Sequence, residues 1–108
     1  MLDLYPITLE MARDAARVAA QLERHDRDLA RQMRRAAASV PLNVAEGMYS
    51  RGKLRGARYH TALGSARETL ACIEVAAAMG YVVRVDDDVT KRMQRVIGTL
   101  VRLVRPRG

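Results

Sequence analysis

The segment from Gln32 to Gly47, which reads QMRRAAASVPLNVAEG, constrains the fold of this chain more than any other. Polar residues recur in it at steps of three or four, so they lie on one face of a helix. These polar residues are Gln32, Arg35, Ser39, Asn43 and Glu46. A separate apolar face consists of Met33, Ala36, Ala37, Val40 and Val44. Pro41 lies inside this helix and lacks a backbone donor, so we expect a kink or a loosened turn there.

Apolar residues at helical spacing predict three further helices, which makes the chain all-α. We place the four helices at residues 7–24, 27–48, 54–79 and 87–105. Asp26 suits the N-cap of the second helix, Gly80 suits the end of the third, and Met48–Gly56 is the predicted loop between them. Short connections between such helices predict an up-down-up-down four-helix bundle, a single domain over residues 1–108.

The apolar stripes of the last two helices differ in width. The third helix carries one stripe, made up of Leu63, Ala66, Leu70, Ile73 and Ala77. The fourth helix carries a stripe made up of Val89, Met93, Val96, Leu100 and Leu103. Beside that stripe lies a second row of Ile97, Val101 and Val104. A bundle of this size buries one face of each helix, so the second row predicts either a subunit interface or a wide core face.

The composition favours an aliphatic core of packed helices, because hydrophobic residues make up 49% of the chain and aromatic residues only 4%. The single cysteine, Cys72, rules out a disulfide within the chain and fits a reducing compartment. Asp3, Pro6 and Glu10 interrupt the start, which therefore does not resemble a signal peptide. No apolar stretch is long enough to span a bilayer, so we expect a soluble cytoplasmic protein.

The excess basic charge is confined to one part of the sequence. The net charge is +7, and the segment 31–67 alone holds eight basic residues against one acidic residue. The rest of the chain holds eleven of each, so its charges cancel. Such a segment favours contact with nucleic acid, since arginine forks match phosphate oxygens. The simpler alternatives are a solvated charged face, or pairing across subunits with the acids of the first helix.

Basic residues of this segment are the candidates for nucleic-acid binding. They are Arg31, Arg34, Arg35, Arg51, Lys53, Arg55 and Arg58. If the second and third helices are antiparallel neighbours, the group around the loop lies far from Arg31, so a monomer does not form one compact patch. Tyr49 and Tyr59 lie among these residues and are expected to stack on unpaired bases.

A second set of polar residues resembles an active site only in part. Its members are Ser39, Asn43, Glu46, Ser65 and Glu68. No histidine or second activating base lies on the same helix faces, so nucleophilic catalysis lacks its base. We interpret these residues as a buried polar network that fixes the register of the helices and satisfies the groups loosened by Pro41. The chain is therefore not expected to be an enzyme.

The remaining motifs are weak signals. The stretch Gly47–Leu54, GMYSRGKL, is close to a P-loop, but Leu54 stands where a Ser or Thr would hold magnesium. A helix also precedes this stretch, where a P-loop requires a strand. His25, His60 and Cys72 are scattered in the sequence, so we expect no metal site and no cofactor.

The stretch RRAAASVPLNVAEG resembles the pattern RRA-x-x-SIP-x-NIAEG, and Gly64, Ser65 and Glu68 match a glycine-serine pair followed by a glutamate. Both features are typical of the small four-helix bundle proteins encoded within intervening sequences of bacterial 23S rRNA genes. The resemblance covers roughly residues 27–82, although this chain has no Phe where the family carries aromatics. It implies a four-helix bundle, a ring-shaped homo-oligomer that is usually a pentamer, and structural polar positions.

A resemblance in fold also extends to the accessory protein of diversity-generating retroelements, a ring that works with a reverse transcriptase. Together, charge and resemblance predict a non-catalytic basic homo-oligomer that binds RNA or DNA through phosphate contacts with little sequence specificity. The alternative is a protein-interaction scaffold or accessory subunit that docks an acidic partner such as a reverse transcriptase. Arg34 and Arg35 belong to the family pattern, so one of them is expected to be structural.

Overall fold

Four α-helices make up the part of the chain that the computed structural model describes, residues 4–82 and 85–106. They are α1 (Leu4–Leu22), α2 (Arg27–Met48), α3 (Gly52–Ala78) and α4 (Asp87–Val104). No strand occurs in these residues, so the predicted all-α class with four helices is confirmed. The helix bounds differ from the predicted ones by at most three residues, at the start of α1. The loop between α2 and α3 is shorter than predicted, because α3 begins at Gly52.

The helices pack as one elongated domain with principal extents of 44, 23 and 22 Å. α2 packs against both α1 and α3, while α4 packs against α3 and α1. The contacts Ser39–Ser65 and Glu46–Arg58 run in opposite order along α2 and α3, so these two helices are antiparallel. Within residues 4–82 and 85–106, no helix combines the length and the apolarity that crossing a membrane requires.

Local capping explains where α2 begins and where α3 ends. The Asp26 carboxylate accepts a hydrogen bond from the Leu29 amide at 2.9 Å, which satisfies a free donor in the first turn of α2. After α3, Gly80 has a φ of +78°, a conformation that favours glycine. The Tyr81 amide then donates to the Ala76 carbonyl at 2.9 Å and closes the last turn. Both predicted helix boundaries therefore have the expected physical cause.

The core is aliphatic, as the composition indicates. The whole apolar face predicted for α2 is buried: Met33, Ala36, Ala37, Val40 and Val44. α2 continues without interruption through Pro41, which is itself buried. From the other helices, Met11, Leu22, Met93 and Leu100 are the largest fully buried side chains. Core packing on both sides of Pro41 therefore keeps the helix intact despite the missing donor.

Two of the predicted core positions are wrong. Leu103 on α4 is 40% exposed, and Ala77 on α3 is also exposed. Both positions continue a pattern of alternating steps of three and four, which has a period of 3.5 residues. A helix has 3.6 residues per turn, so such a stripe drifts off the core face by about 20° per heptad. The same drift places Ile97, Val101 and Val104 against the core as half-buried residues, which favours a wide core face over a subunit interface there.

α2 and α3 come close together beside the turn, where Tyr59 packs on Gly47. A Cβ atom added to Gly47 would lie 2.4 Å from Tyr59 Cε1, and Tyr59 is only 4% exposed. Any side chain at this position must therefore displace a buried aromatic ring. By contrast, a Cβ atom added to Gly64 would have no neighbouring heavy atom within 4 Å.

A group of ion pairs joins α1 to α4. Arg92 lies between Asp14, with which it forms a short hydrogen bond, and Glu10, at 3.0 Å from Nε to Oε2. Asp14 is 4% exposed, and its Oδ1 also lies 3.7 Å from Nη1 of Arg17 on the same helix. The hydrogen bond with Asp14 raises the pKa of the Arg92 guanidinium above its usual range, against the opposite effect of burial.

We expect Gly47→Ala to lower the free energy of unfolding by about 2 kcal/mol, because the added methyl group overpacks the Tyr59 ring. Urea unfolding followed by circular dichroism measures this change. The matched control is Gly64→Ala, which should gain about 0.5–1 kcal/mol from helix propensity alone. Equal stability of Gly47→Ala and the unmodified chain would contradict the close contact.

We expect Arg92→Leu to lower the free energy of unfolding by about 3 kcal/mol, because the buried Asp14 carboxylate loses its partner. The double variant Asp14→Leu/Arg92→Leu removes both charges and should recover most of this loss. Thermal and urea unfolding of both variants provide the comparison, with Arg95→Leu on the exposed side of α4 as the control. A double variant no more stable than Arg92→Leu would show that the ion pair is not the cause.

Candidate nucleic-acid interface

The seven predicted phosphate-binding residues all lie on α2, on α3 or in the turn between these helices. Arg31, Arg34 and Arg35 are in the first half of α2, and the other four lie beyond its end. Arg35 is thirteen residues before the last residue of α2, so about 20 Å of helix separates it from the turn. The chain therefore presents two basic regions on one helical hairpin, as the antiparallel arrangement predicts.

Two of the seven residues form ion pairs within the chain. Arg34 Nη2 lies 3.0 Å from Glu23 Oε2, which ties α2 to the residue just after α1. Arg58 Nε lies 3.1 Å from Glu46 Oε2, which ties α3 to α2. Their side chains remain 42% and 48% exposed, so each pair contributes little to stability on its own. These arginines nevertheless offer less free charge to a ligand than the sequence alone indicates.

A third residue, Arg55, braces the turn. Its Nε donates to the Ser50 carbonyl at 2.9 Å and to the Gly47 carbonyl at 3.2 Å. The Ser50 hydroxyl donates in turn to the Glu46 carbonyl at 2.8 Å. The Glu46 and Gly47 carbonyls also accept from the Tyr49 and Ser50 amides at 3.2 Å, so the side-chain bonds give these carbonyls a second donor each.

The other four of the seven candidates are exposed, and they have no carboxylate partner within ion-pairing distance in the described ranges 4–82 and 85–106. They are Arg31, Arg35, Arg51 and Lys53, and we call them the open basic residues. Tyr49, beside Arg51 in the turn, is 90% exposed, so its ring is available for stacking. Tyr59 is buried against Gly47, so the prediction that it stacks on bases is wrong.

The predicted polar network separates into three parts. Ser65 Oγ donates to Ser39 Oγ at 2.8 Å, and Asn43 Nδ2 donates to the same oxygen at 3.0 Å, so these three residues form one chain of hydrogen bonds. Glu46 pairs with an arginine instead. Glu68 Oε2 accepts from Gln32 Nε2 at 3.2 Å, across the same pair of helices. Because all five predicted members are half-buried or exposed, the network lies at the surface of the hairpin rather than in the core.

An open groove lies along α2 and α3 over this network. Its volume is about 510 Å³, and its lining combines cations, carboxylates and hydroxyls. The lining residues are Asp28, Arg31, Gln32, Arg35, Ala36, Ser39, Ser65 and Glu68. Two of the open basic residues, Arg31 and Arg35, therefore border the same groove as the serine pair.

Neither nucleotide hydrolysis nor metal binding gains support from the geometry. The P-loop-like stretch Gly47–Leu54 runs from the end of α2 into α3, with a helix on each side. In the described part of the chain, no three His, Cys, Asp or Glu side chains lie together as metal ligands would.

His25 stacks on Tyr81 with ring centroids 5.4 Å apart. Burial and the nearby Glu68 charge raise the pKa of the Cys72 thiol, so it stays protonated at neutral pH.

The fold and the motif of α2 agree with one family. A sequence profile described as 23S rRNA-intervening sequence protein matches residues 1–102. The chain belongs to this family. A crystal structure of a protein of unknown function from the S23 ribosomal protein family of Bacteroides thetaiotaomicron has the same fold, with a TM-score of 0.84 at 17% identity. The match covers 95% of this chain and 99% of that protein. No curated protein sequence matches the chain.

Sequence reasoning missed three contacts of this 23S rRNA-intervening sequence protein. It did not find the brace from Arg55 to the turn, the partner of Gln32, or the burial of Asp14 beneath Arg92. Arg55 lies only one residue after the predicted start of the third helix, so the sequence carries no signal for the first contact. Asp14 offers a stronger signal, since it is three residues after Met11 and four before Val18, which are both buried on the core face of α1.

Proposed function

We propose that this chain is a non-catalytic nucleic-acid-binding protein that contacts the phosphates of RNA or DNA with little sequence specificity. The observation that carries this proposal is the set of open basic residues Arg31, Arg35, Arg51 and Lys53. Two acids of this region are already engaged by other groups, since Glu46 pairs with Arg58 and Glu23 with Arg34. Around the turn, the positive charge of Arg51 and Lys53 is therefore left for an external polyanion.

The spacing of the open basic residues suits an extended strand. About 20 Å of α2 separates Arg35 from the turn that holds Arg51. One strand of a nucleic-acid helix advances about 3.4 Å per nucleotide, so about six nucleotides span this distance. The exposed ring of Tyr49 at the turn favours a single strand, because an unpaired base can stack on it. We also place this activity in the cytoplasm, which the unpaired Cys72 supports.

We further propose a ring-shaped homo-oligomer, with the pentamer that the family resemblance implies. The support is a set of exposed apolar side chains at the two ends of α3. Leu54, Val75 and Met79 are 67%, 47% and 59% exposed there. Val75 and Met79 lie about one helical turn apart, and neighbouring exposed apolar side chains are typical of interfaces between proteins. A ring would also repeat the open basic residues as a belt, which raises affinity for a long strand.

We expect Arg51→Gln/Lys53→Gln to weaken binding to a labelled single-stranded RNA of about 12 nucleotides. Each lost phosphate contact lowers the slope of log affinity against log salt by about 0.7, so the double variant should lose about 1.4. Fluorescence anisotropy at several salt concentrations measures both quantities. The matched control is Lys91→Gln/Arg95→Gln on α4, which removes the same two charges from exposed positions outside the hairpin.

Equal loss of affinity in the two double variants would show that binding depends on net charge alone and would sink the assignment of the site. No binding by the unmodified protein at low salt would favour the alternative function. The basic turn, with Tyr49 and Leu54 exposed beside it, would then dock an acidic protein partner.

We expect light scattering to give about five times the chain mass of 12.0 kDa. Val75→Glu on the outward face of α3 should shift this mass toward the monomer, because a charge in an apolar interface is costly. Leu9→Glu is the control, since Leu9 is 40% exposed on α1. A monomeric mass for the unmodified chain at all concentrations would contradict the ring.

A further inference from the structure

The side chains that line the groove along α2 and α3 carry no net charge, whereas the hairpin around the groove is basic. Arg31 and Arg35 supply two positive charges, and Asp28 and Glu68 supply two negative charges. Its volume of about 510 Å³ lies within the range of small-ligand sites. A simple polyanion gains little from a neutral groove, so its lining fits a ligand that carries both an anion and a hydrogen-bond donor.

The floor of the groove holds a free donor. Ser39 Oγ accepts hydrogen bonds from Ser65 Oγ at 2.8 Å and from Asn43 Nδ2 at 3.0 Å. A hydroxyl carries one hydrogen in addition to two acceptor positions. The Ser39–Ser65 bond uses one of the two hydroxyl hydrogens of this pair, and the described residues provide no acceptor for the other, so it is available to a ligand oxygen.

The rim of the groove holds two further groups with free capacity. Arg31 and Arg35 are one helical turn apart on α2, and planar guanidinium forks at this spacing can hold one phosphate between them. On the opposite side, Glu68 accepts from Gln32 through Oε2 alone. A carboxylate has two acceptor oxygens, so Oε1 is open to a donor on the ligand.

We infer that this groove binds a ribose phosphate, with the phosphate on Arg31 and Arg35 and the 2′-hydroxyl donating to Glu68. The inference rests on the proposed nucleic-acid binding and specifies its substrate as RNA rather than DNA. The 2′-hydroxyl is both a donor and an acceptor, and DNA lacks it. With DNA, the Glu68 carboxylate faces the phosphates with no donor between them.

The sign of one substitution separates this site from simple electrostatics. If Glu68 only offsets nearby positive charge, its removal strengthens binding to RNA and DNA alike. If Glu68 accepts from the 2′-hydroxyl, its removal weakens RNA binding and leaves DNA binding unchanged or stronger. Glu68 is exposed on α3, so its replacement does not disturb the core.

The experiment compares Glu68→Met with the unmodified protein, using oligoadenylate and oligodeoxyadenylate of about 12 nucleotides at one fixed salt concentration. The unmodified protein should bind RNA about tenfold more tightly than DNA, as one charge-assisted hydrogen bond allows. Glu68→Met should lose this preference through weaker RNA binding. Glu74→Met is the matched control, since it removes the same charge from an exposed position of α3 outside the groove.

Equal binding of RNA and DNA by the unmodified protein would overturn the inference, as would stronger binding of both by Glu68→Met. If the protein binds RNA and DNA equally and Arg51→Gln/Lys53→Gln weakens binding to both, the proposed function stands and the groove assignment fails. A free nucleotide carries the same ribose phosphate as RNA, and adenosine 5′-monophosphate tests this other ligand. Suppose that the unmodified protein binds this nucleotide but not RNA, and that Glu68→Met does not bind the nucleotide. This result would support the ribose-phosphate groove and refute the proposed function.

Discussion

The packing of the Tyr59 ring on Gly47 sets the separation of α2 and α3 beside their turn. About two helical turns away, the Ser39 and Ser65 hydroxyls meet at 2.8 Å, and Gln32 reaches Glu68 further along the same pair of helices. Hydrogen bonds weaken steeply when their geometry changes, so each of these contacts depends on the helix separation fixed at the glycine. The groove and its polar lining thus lie on a pair of helices whose packing beside the turn requires a glycine.

The arginines of the hairpin divide into those with a partner inside the chain and those without one among the described residues. Arg34 and Arg58 meet carboxylates, and Arg55 meets backbone carbonyls. The other basic residues of the hairpin gain no such partner, although uncompensated like charges repel each other and lower stability. This charge contributes nothing to folding, and the proposed nucleic-acid binding would give it a role.

The α2 helix was predictable because its cap, its apolar face and its motif all lie within one short segment. The ends of the core stripes on α3 and α4 were harder to predict. A pattern with a period of 3.5 residues drifts off the core face over four turns of a helix, so Ala77 and Leu103 are exposed. Other features depend on contacts between distant residues. Asp14 and Arg92 are 78 positions apart, and no local pattern pairs them. Likewise, the burial of Tyr59 follows from its contact with a glycine on another helix, so its sequence position among basic residues was misleading.

The brace from Arg55 has a consequence for the thermodynamics of association. A surface loop that orders only on binding loses conformational entropy at that moment, which subtracts from affinity. Here the turn spans only residues 49–51, and two of its neighbouring carbonyls are already held by one guanidinium. The backbone beneath Arg51 and Lys53 is thus ordered before any ligand arrives, and only the long side chains themselves lose freedom on contact.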